Sequence, residues 1–466
     1  MNIYIRFLGA SQEVTGSKFL LEVDEFKILI DCGLFQGKKE LRLLNWSDFP
    51  IKPTEIDCIL LTHAHIDHTG YLPRLVKQGY KNSIHCTHPT LDLVKILLLD
   101  SAKLQEEEAS YARKKGYSKH TPPEPLYDEK DAQKVFPLLI SHPFGQWIKI
   151  NDNIEVRFQT AGHILGASII EVLLKGEKEN KKIVFSGDLG RYQDPLMPPP
   201  TPIQEADILL IESTYGNRDN IDVFPEKELG RIVRQTLKNG CLIIPAFSVG
   251  RTQSVLYYLT QLLEKQEIPN APIFVDSPMA IDVTELYDKY DDCHSLAKEV
   301  FQQEPNFLKH PNIHYYQSQE QSISLNEIRK GAIIISASGM ATGGRILHHL
   351  YNRLPNSQDT ILFVGYQSEG TRGRDLLEGK EFIKIFGSYV PVKAHIEYIA
   401  GLSAHADQEE LLQWISNFKQ SPKITFITHG EKEASQSLAS LIQEKFHWKN
   451  VVIPNYMEGF VLFRGI

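Results

Sequence analysis

The stretch His63-Ala64-His65-Ile66-Asp67-His68 decides how this chain is interpreted. Four of its side chains can bind a divalent metal through imidazole or carboxylate groups, which are ligands that suit zinc. The apolar run before it, Cys58-Ile59-Leu60-Leu61, predicts a short buried strand, and the residues after Thr69 predict a helix. The ligands therefore lie on a strand-to-helix turn, and their close spacing favours two neighbouring metal ions. The alternative is a polar turn with surface histidines, which this dense pattern disfavours.

Three further ligand candidates follow strand-like runs later in the chain. His163 lies in a loop of small residues, Asp188 follows a strand and precedes a glycine turn, and His429 follows the run Ile424–Ile427. Taken alone, each residue is more often an ordinary loop residue than a ligand. Taken together with residues 63–68, each becomes a candidate ligand of the same metal centre.

These motifs resemble those of the metallo-β-lactamase superfamily and, within it, the β-CASP ribonuclease branch, over nearly the whole chain. The run Leu29-Ile30-Asp31-Cys32-Gly33 is similar to the first superfamily motif, and residues 63–68 are similar to the second. The remaining matches are His163 and Asp188 in the superfamily motifs and Glu212, His405 and His429 in the β-CASP motifs. A histidine at position 429 is similar to the RNA-directed members, among them bacterial and archaeal relatives of the cleavage and polyadenylation specificity factor nuclease subunit.

The resemblance implies an α/β protein, an αββα metallo-β-lactamase sandwich with an inserted parallel α/β β-CASP domain. We expect the first part of the sandwich at residues 1–214, the insertion at 215–390 and the rest of the sandwich at 391–466. The sequence pattern agrees with this division. Short strand-like runs dominate the first part of the chain, and helical stretches alternate with buried strand-like runs from about Tyr215. The predicted helices are Leu91–Gly116, Asp131–Leu139, Pro225–Asn239, Thr252–Lys265 and Asp282–Asp291.

The resemblance also implies a division of the ligands between two Zn²⁺ ions. One ion takes His63, His65 and His163, the other takes Asp67, His68 and His429, and Asp188 bridges them. Two adjacent metals lower the pKa of a shared water toward neutrality and stabilise charge on a phosphodiester. The expected nucleophile is therefore a hydroxide that both metals activate, and Asp67 counts among the catalytic residues as well as among the ligands.

Three more residues are catalytic candidates. We expect His405 to protonate the leaving oxygen, with Glu212 keeping its imidazole charged. The alternative for His405 is that it merely caps a helix starting at Asp407. Asp31 ends a buried strand, and we expect it to hydrogen-bond a ligand histidine or loop amides, although a purely structural role is nearly as plausible.

Glycine-rich loops in the expected insertion predict contacts with phosphate. They cover residues 247–251, 336–345 and 365–374, and the second leads into a helix, where backbone amides bind anions. Turn geometry alone could explain any one of the loops. The candidate phosphate-binding residues are Arg251, Ser338, Gly339, Gly343, Arg345, Gln367 and Ser403. For His348 and His349 we expect packing or solvent exposure, and for His395 a supporting role at most.

Composition limits the other possibilities. The net charge of −8 argues against a general polyphosphate binder, although metal ions would make the site locally positive. The 5 cysteines form no C-x-x-C pair, which is typical of a reduced, cytoplasmic protein. No apolar run is long enough to span a membrane, so we expect no membrane partner.

The leading interpretation is a zinc-dependent ribonuclease that hydrolyses phosphodiester bonds of single-stranded RNA. The alternatives are a metallo-hydrolase of the same superfamily acting on DNA or on a small ester or thioester, and a scaffold without activity. A scaffold should have lost ligands, whereas every ligand position here is filled. A homodimer is a further expectation from the family.

Overall fold

The computed structural model describes residues 1–115, 123–219, 224–290, 293 and 307–466. The chain forms two compact units. Unit 1 comprises Met1–Asp194, Pro198–Asp219 and His405–Ile466, and unit 2 comprises Pro195–Met197 and Asn220–Ala404. The domain limits 1–214, 215–390 and 391–466 stay a proposal beside these units.

Both units contain strands and helices. The described strands are β1 (Ile3–Phe7), β2 (Phe19–Val23), β3 (Phe26–Ile30), β4 (Cys58–Leu60), β5 (Ser83–Thr87), β6 (Leu139–His142), β7 (Trp147–Lys149), β8 (Ile154–Thr160), β9 (Ser168–Lys175), β10 (Asn180–Phe185), β11 (Ile208–Glu212), β12 (Leu242–Pro245), β13 (Ile273–Asp276), β14 (Ile313–Tyr315), β15 (Ile333–Ser336), β16 (Thr360–Phe363), β17 (Phe382–Ile385), β18 (Ser388–Pro391), β19 (His395–Tyr398), β20 (Ile424–Thr428), β21 (Val451–Val452) and β22 (Gly459–Phe463).

The described α-helices are α1 (Lys39–Leu44), α2 (Ile66–Thr69), α3 (Leu72–Lys77), α4 (His88–Lys115), α5 (Glu129–Gln133), α6 (Pro225–Thr236), α7 (Arg251–Glu264), α8 (Pro278–Lys289), α9 (Gln319–Ser324), α10 (Ile346–Arg353), α11 (Arg372–Leu377), α12 (Gln408–Ile415) and α13 (Lys432–Phe446). Short 3₁₀ turns cover Pro53–Glu55, Phe136–Leu138, Phe307–Lys309, Leu325–Glu327 and Ala400–Leu402. Within this part of the chain no helix is long and apolar enough to cross a membrane.

The predicted helices are confirmed with shifted ends, except the one over Asp131–Leu139. There the α-helix ends at Gln133, and the chain continues through a 3₁₀ turn that contains Pro137. The proline ring removes a backbone donor and restricts the residue before it, so a regular helix cannot continue. The predicted end at Asp291 and residue 116 lie outside the described residues.

Unit 1 is built from two seven-stranded sheets. Their strand orders are β22-β1-β2-β3-β4-β5-β6 and β21-β20-β11-β10-β9-β8-β7. Alternate side chains of both sheets form one hydrophobic core, in which the rings of Phe7 and Phe426 lie 4.9 Å apart. This is the predicted metallo-β-lactamase sandwich.

Parallel pairing at the centre of each sheet positions the polar motifs. Strands β3 and β4 are parallel neighbours in one sheet, and β10, β11 and β20 are parallel neighbours in the other. Asp31 follows β3, residues 63–68 follow β4, Asp188 follows β10 and His429 follows β20. Because the carboxyl ends of parallel strands meet at one edge of a sheet, the fold gathers these residues.

Unit 2 contains the predicted parallel α/β arrangement. Its six-stranded sheet has the order β14-β13-β15-β12-β16-β19, and every neighbouring pair in it is parallel. A separate hairpin of β17 and β18 completes the unit. Its core is formed by strand residues such as Ile243 and Ile334, helix residues such as Leu350, and Ile383 and Val390 from the hairpin.

Candidate metal centre

Two groups of ligand atoms lie in unit 1. His63, His65, His163 and Asp188 form one group, and Asp67, His68 and His429 form the other. Within each group the candidate ligand atoms all lie within 4.8 Å of one another. These are the ligand sets that the family resemblance implied, and the carboxylate assigned as a bridge lies in the first group.

The first group is compact. The Nδ1 atom of His65 lies 3.1 Å from Nε2 of His63 and 3.2 Å from Nε2 of His163. The Oδ2 atom of Asp188 lies 3.4 Å from Nε2 of His63 and 3.6 Å from Nε2 of His163. Nitrogen and oxygen atoms that converge at these spacings can share one ion with tetrahedral geometry.

The second group shares Asp188 with the first. Nε2 of His68 and Nε2 of His429 lie 3.1 Å apart, and Oδ2 of Asp67 lies 3.5 Å from the same His429 nitrogen. Asp188 approaches both of these histidines, with Oδ2 3.4 Å from His68 Nε2 and Oδ1 3.4 Å from His429 Nδ1. Its carboxylate therefore lies between the two groups, where a ligand common to two metals has to be.

The backbone at the site is unusually close-packed and strained. A Cβ atom at Gly33 would lie 1.6 Å from the carbonyl oxygen of Asp67, so only glycine lets the Asp31 loop approach the ligand turn. Asp31 and His429 themselves have φ angles of +58° and +48°. Non-glycine residues rarely adopt this left-handed conformation, and such residues cluster at functional sites.

The protonation states suit metal binding. Burial lowers the pKa of His65 to about 4 and lowers the pKa of His63 well below its ordinary value. Both imidazoles are therefore neutral at pH 7, the form that binds a metal. Burial raises the pKa of Asp188, but His429, His68 and His63 outweigh this effect and hold it well below the usual range. Its buried Oδ1 receives no hydrogen bond from any described residue, so the donor set fits a divalent cation.

A layer of supporting residues orients the ligands. Asp31 Oδ2 lies 2.8 Å from His68 Nδ1, and its two oxygens accept hydrogen bonds from the backbone N–H and hydroxyl of Thr62 at 2.7 and 2.8 Å. The Thr214 hydroxyl lies 3.1 Å from His429 Nδ1. Sequence reasoning expected this contact of Asp31 but missed both threonines, which adjoin the motifs at His63 and Glu212.

Glu212 and His405 form a third group with Asp188. His405 Nδ1 lies 3.2 Å from Glu212 Oε1, which also accepts a 2.6 Å hydrogen bond from the backbone N–H of Leu189. Burial lowers the pKa of His405, but the carboxylates of Glu212, Asp188 and Asp67 together raise it above its ordinary value. The helix-cap alternative for His405 is wrong, because the Asp407 side chain accepts the hydrogen bond from Glu410 N that caps α12.

In unit 2, the glycine-rich loops follow strands β12, β15 and β16. These strands are neighbours in the sheet, in the order β15-β12-β16, so the loops leave from one edge. Several candidate side chains are already engaged there. Arg345 Nη1 lies 2.7 Å from Asp276 Oδ1, and Gln367 Nε2 donates to the carbonyl oxygens of Gly339 and Gly365 at 2.9 and 3.0 Å.

The other phosphate-binding candidates differ in their surroundings. The Ser338 and Thr342 hydroxyls are 2.9 Å apart, Arg251 and Ser403 are buried, and a Cβ at Gly343 would meet nothing within 4 Å. The phosphate contacts of all these residues stay predictions. His349 is buried with Nε2 2.7 Å from Asp276 Oδ2, a contact that the sequence did not indicate, and His395 is exposed on β19.

Family models match three parts of the chain. A metallo-beta-lactamase superfamily domain matches residues 20–198, a Beta-Casp domain matches 252–376, and a Zn-dependent metallo-hydrolase RNA specificity domain matches 389–454. One similar protein is ribonuclease TTHA0252 of Thermus thermophilus, 34% identical over 97% of this chain and 98% of that protein.

Two proteins of Methanocaldococcus jannaschii are also similar. Transcription termination factor FttA is 30% identical over 98% of this chain and 71% of its own length, and an RNase J-like protein is 29% identical over 98% of both. A crystal structure of a protein of unknown function from Enterococcus faecalis V583 superposes with a TM-score of 0.52 at 14% identity, covering 99% of this chain and 100% of that one. This last likeness concerns the fold alone.

Proposed function

The chain belongs to the β-CASP branch of the metallo-β-lactamase superfamily, and from this we propose that it is a zinc-dependent ribonuclease acting on single-stranded RNA. Membership confirms the resemblance drawn from the motifs, and it makes the chain a metal-dependent hydrolase. The choice of zinc and of single-stranded RNA is our proposal. The names of the similar ribonuclease and of the matched RNA specificity domain support RNA as the substrate class.

The observation that carries the proposal is the pair of ligand groups with Asp188 between them. We assign His63, His65 and His163 to one Zn²⁺ ion, Asp67, His68 and His429 to the other, and Asp188 to both. When bound, the two ions supply Lewis acidity that lowers the pKa of water and stabilises negative charge on a phosphodiester. The supporting contacts of Asp31, Thr62 and Thr214 hold the imidazole rings in place.

His405 and Glu212 perform the proton transfer in this mechanism. The Glu212 carboxylate faces Nδ1 of His405 and raises its pKa above the ordinary value, which favours the imidazolium. The imidazolium proton is delivered to the leaving ribose oxygen as the phosphodiester bond breaks. The Leu189 N–H donates a hydrogen bond to the Glu212 carboxylate. This bond connects the His405–Glu212 pair to the loop that carries Asp188.

The test is turnover of a labelled 20-nucleotide single-stranded RNA by zinc-loaded protein. We expect cleavage by the wild type and none by Asp67→Ala, while His395→Ala, a substitution at an exposed histidine of unit 2, keeps full activity. A matched duplex should be cut at least tenfold more slowly. The fragment ladder distinguishes internal cutting from cutting at an end.

Other outcomes identify the alternatives. Equal rates on RNA and DNA of one sequence would contradict RNA specificity. Equal rates on single-stranded RNA and on the matched duplex would contradict the single-strand preference. Hydrolysis of a small thioester without any nucleic-acid cleavage would replace the proposal, and the net charge of −8 would then fit the substrate better.

We also propose a cytoplasmic location and a homodimer. The 5 cysteines are all free thiols in the structure, and four of them are buried, which suits a reducing compartment. Light scattering coupled to size-exclusion chromatography measures the oligomeric state, and a monomer mass at micromolar concentration would contradict the dimer.

A further inference from the structure

The β17–β18 hairpin of unit 2 has one buried and one exposed face. Ile383, Ile385 and Val390 point into the core, and the register places Lys384 opposite Tyr389 on the other face. Phe382 lies on the same outer face, because side chains alternate along a strand. Phe382 is 56% exposed, and Tyr389, at 71%, is the most exposed large hydrophobic side chain among the described residues.

The outer face is held rigidly. The side chains on the opposite, buried face anchor both strands in the core. The Arg372 Nε atom also donates a 2.8 Å hydrogen bond to the Lys384 carbonyl oxygen. Phe382 and Tyr389 are diagonal neighbours, which on an antiparallel pair lie about 7–8 Å apart. Two exposed rings on such a support form a platform rather than isolated surface residues.

Aromatic residues continue past the tip of the hairpin. The ring of Phe386 lies 4.6 Å from that of His348 and 6.1 Å from that of Tyr351 on α10. Tyr351 is itself 42% exposed. Phe386 itself is partly buried and packs against the core of unit 2, so these rings flank the tip of the hairpin.

The charge around these rings is positive, unlike that of the whole chain. Residues 372–393 contain five Lys and Arg residues and three Asp and Glu residues, a local balance of +2, whereas the whole chain has −8. Two of the three acidic groups are neutralised by ion pairs, Asp375 with Lys380 and Glu378 with Arg374. Lys384 Nζ lies 5.9 Å from the centre of the Tyr389 ring, in the middle of the face.

We propose that the outer face of the hairpin is a docking surface for single-stranded RNA, on which unpaired bases stack against Tyr389 and Phe382 while Lys384 contacts the phosphate backbone. This inference rests on the proposed function. Flat rings next to a lysine match a polyanion that carries unpaired bases. A second copy of this chain fits less well, because lysine is depleted at the centres of protein interfaces.

The test is binding of a fluorescein-labelled uridine 20-mer to the zinc-loaded Asp67→Ala protein, followed by fluorescence anisotropy. Adding Tyr389→Ala or Phe382→Ala should weaken binding about tenfold each, because every lost ring removes one stacked base. Tyr389→Phe should bind as tightly as the parent, since the ring remains. Lys384→Ala should reduce the slope of log Kd against log salt by about 1.

Phe224→Ala is the matched control. Phe224 is 64% exposed with Lys227 4.7 Å from its ring, but it precedes helix α6 instead of lying on a strand. Its replacement should leave the Kd unchanged. Unchanged melting temperatures would verify that all the variants fold, as expected for exposed side chains.

The outcomes separate this inference from the proposed function. If wild-type protein cleaves RNA but the hairpin variants bind the 20-mer normally, the docking surface is wrong and the ribonuclease stands. If the wild type neither binds nor cleaves RNA, the proposed function fails. A change from dimer to monomer in Tyr389→Ala, measured by light scattering, would make the face a self-association surface and overturn the inference.

Discussion

At the scale of single residues, the proposed proton transfer depends on the protonation state of His405. The imidazole is largely buried and faces the buried Glu212 carboxylate at 3.2 Å. Burial lowers the His405 pKa, and Glu212, Asp188 and Asp67 together raise it above its ordinary value. The group is therefore an acid that remains protonated above its ordinary range.

Replacing His405 by alanine should leave zinc content unchanged and reduce kcat about 10²–10⁴-fold, the usual contribution of a general acid. The reason is that His405 contacts the ligand groups without being needed to complete either of them. Metal analysis and steady-state kinetics on the same protein preparation check this expectation. Loss of one zinc equivalent in the variant would make His405 a ligand instead.

Replacing Glu212 by glutamine should shift the pH dependence of the reaction. A raised pKa means that the acid is fully present at low pH and is lost as pH rises through that pKa. Without the carboxylate, the pKa of His405 falls, so the alkaline limb of kcat/KM should move to lower pH. The comparison is made at saturating zinc in both proteins, and an unmoved limb would show that another group controls it.

Replacing Asp31 by asparagine should weaken metal binding about 10–100-fold, as expected when the carboxylate behind a ligand histidine is lost. The affected ion should be the one held by His68, whose Nδ1 faces Asp31 at 2.8 Å. Chelator competition measures the two affinities. Asp24→Asn, a substitution far from His68 in an exposed turn, is the control that should change neither.

The grouping of the candidate ligands could be predicted from sequence because each belongs to a short motif with its own local pattern. Their binding of metal stays a prediction. The roles of Thr62 and Thr214 could not be predicted from sequence, because a threonine hydroxyl has no characteristic spacing. It gains its role only when two distant loops meet. Thr214 lies 215 positions from the His429 ring that it contacts. His349 was missed for the same reason, since its partner Asp276 ends a strand 73 positions away.

At the scale of elements, helix α12 holds the His405 segment in place through its first turn. Asp407 and Glu410 form a reciprocal capping box, and the Glu410 carboxylate also accepts a 2.9 Å hydrogen bond from the Tyr192 N–H. The Ala406 N–H donates to the Leu189 carbonyl oxygen at 2.7 Å. The cap therefore joins the His405 loop to the loop that follows Asp188.

Replacing Asp407 by alanine should lower the free energy of unfolding by about 1 kcal/mol, the typical value of an N-cap. It should also reduce kcat without affecting zinc content, because the segment that carries His405 is less firmly held. Urea denaturation and kinetics provide the two measurements. Asp407→Asn keeps an acceptor oxygen and should behave nearly as the wild type, whereas equal losses in both variants would point to the negative charge.

The types of most elements followed from periodicity, because buried parallel strands and amphipathic helices leave strong patterns. Their ends did not, since helix ends depend on individual caps. Pro137 shows the limit: the apolar spacing of residues 131–139 indicates one helix, and the missing backbone donor divides it. The hairpin of β17 and β18 was also missed, because Phe382 and Tyr389 break the usual alternation of buried and polar positions.

At the scale of the whole molecule, the metal centre links parts of the chain that are far apart in sequence. Ligands from residues 63–68, 163, 188 and 429 converge in unit 1 from loops of both sheets. Seven polar or charged side chains gathered at one point cannot form a hydrophobic core and so contribute little to stability by themselves. Bound cations should therefore contribute to the stability of the folded chain.

Removing the metal by chelation should lower the melting temperature by about 5 °C or more. Ligand present at a hundredfold its Kd stabilises a protein by about 2.7 kcal/mol, and each kcal/mol shifts the transition of a domain of this size by about 2–4 °C. Calorimetry with and without chelator measures the shift. Asp67→Ala should reduce it, and an unchanged melting temperature would contradict metal binding to the native state.

The fold as a whole could be predicted because its two sheet systems have different patterns and because the motifs resemble one family. The points at which the chain passes between the two units, such as Ala404 to His405, depend on contacts between residues that are distant in sequence. The limits expected from the motifs therefore stay a prediction beside them.

The order of the active-site residues along the chain also bears on how a ribonuclease is made. Translation delivers residues 63–68 early, but His405 and His429 emerge only after the whole of unit 2 has left the ribosome. Until then the nascent polypeptide lacks the proposed acid and one ligand. A cell thus synthesises this enzyme beside messenger RNA without exposing the message to a finished catalyst.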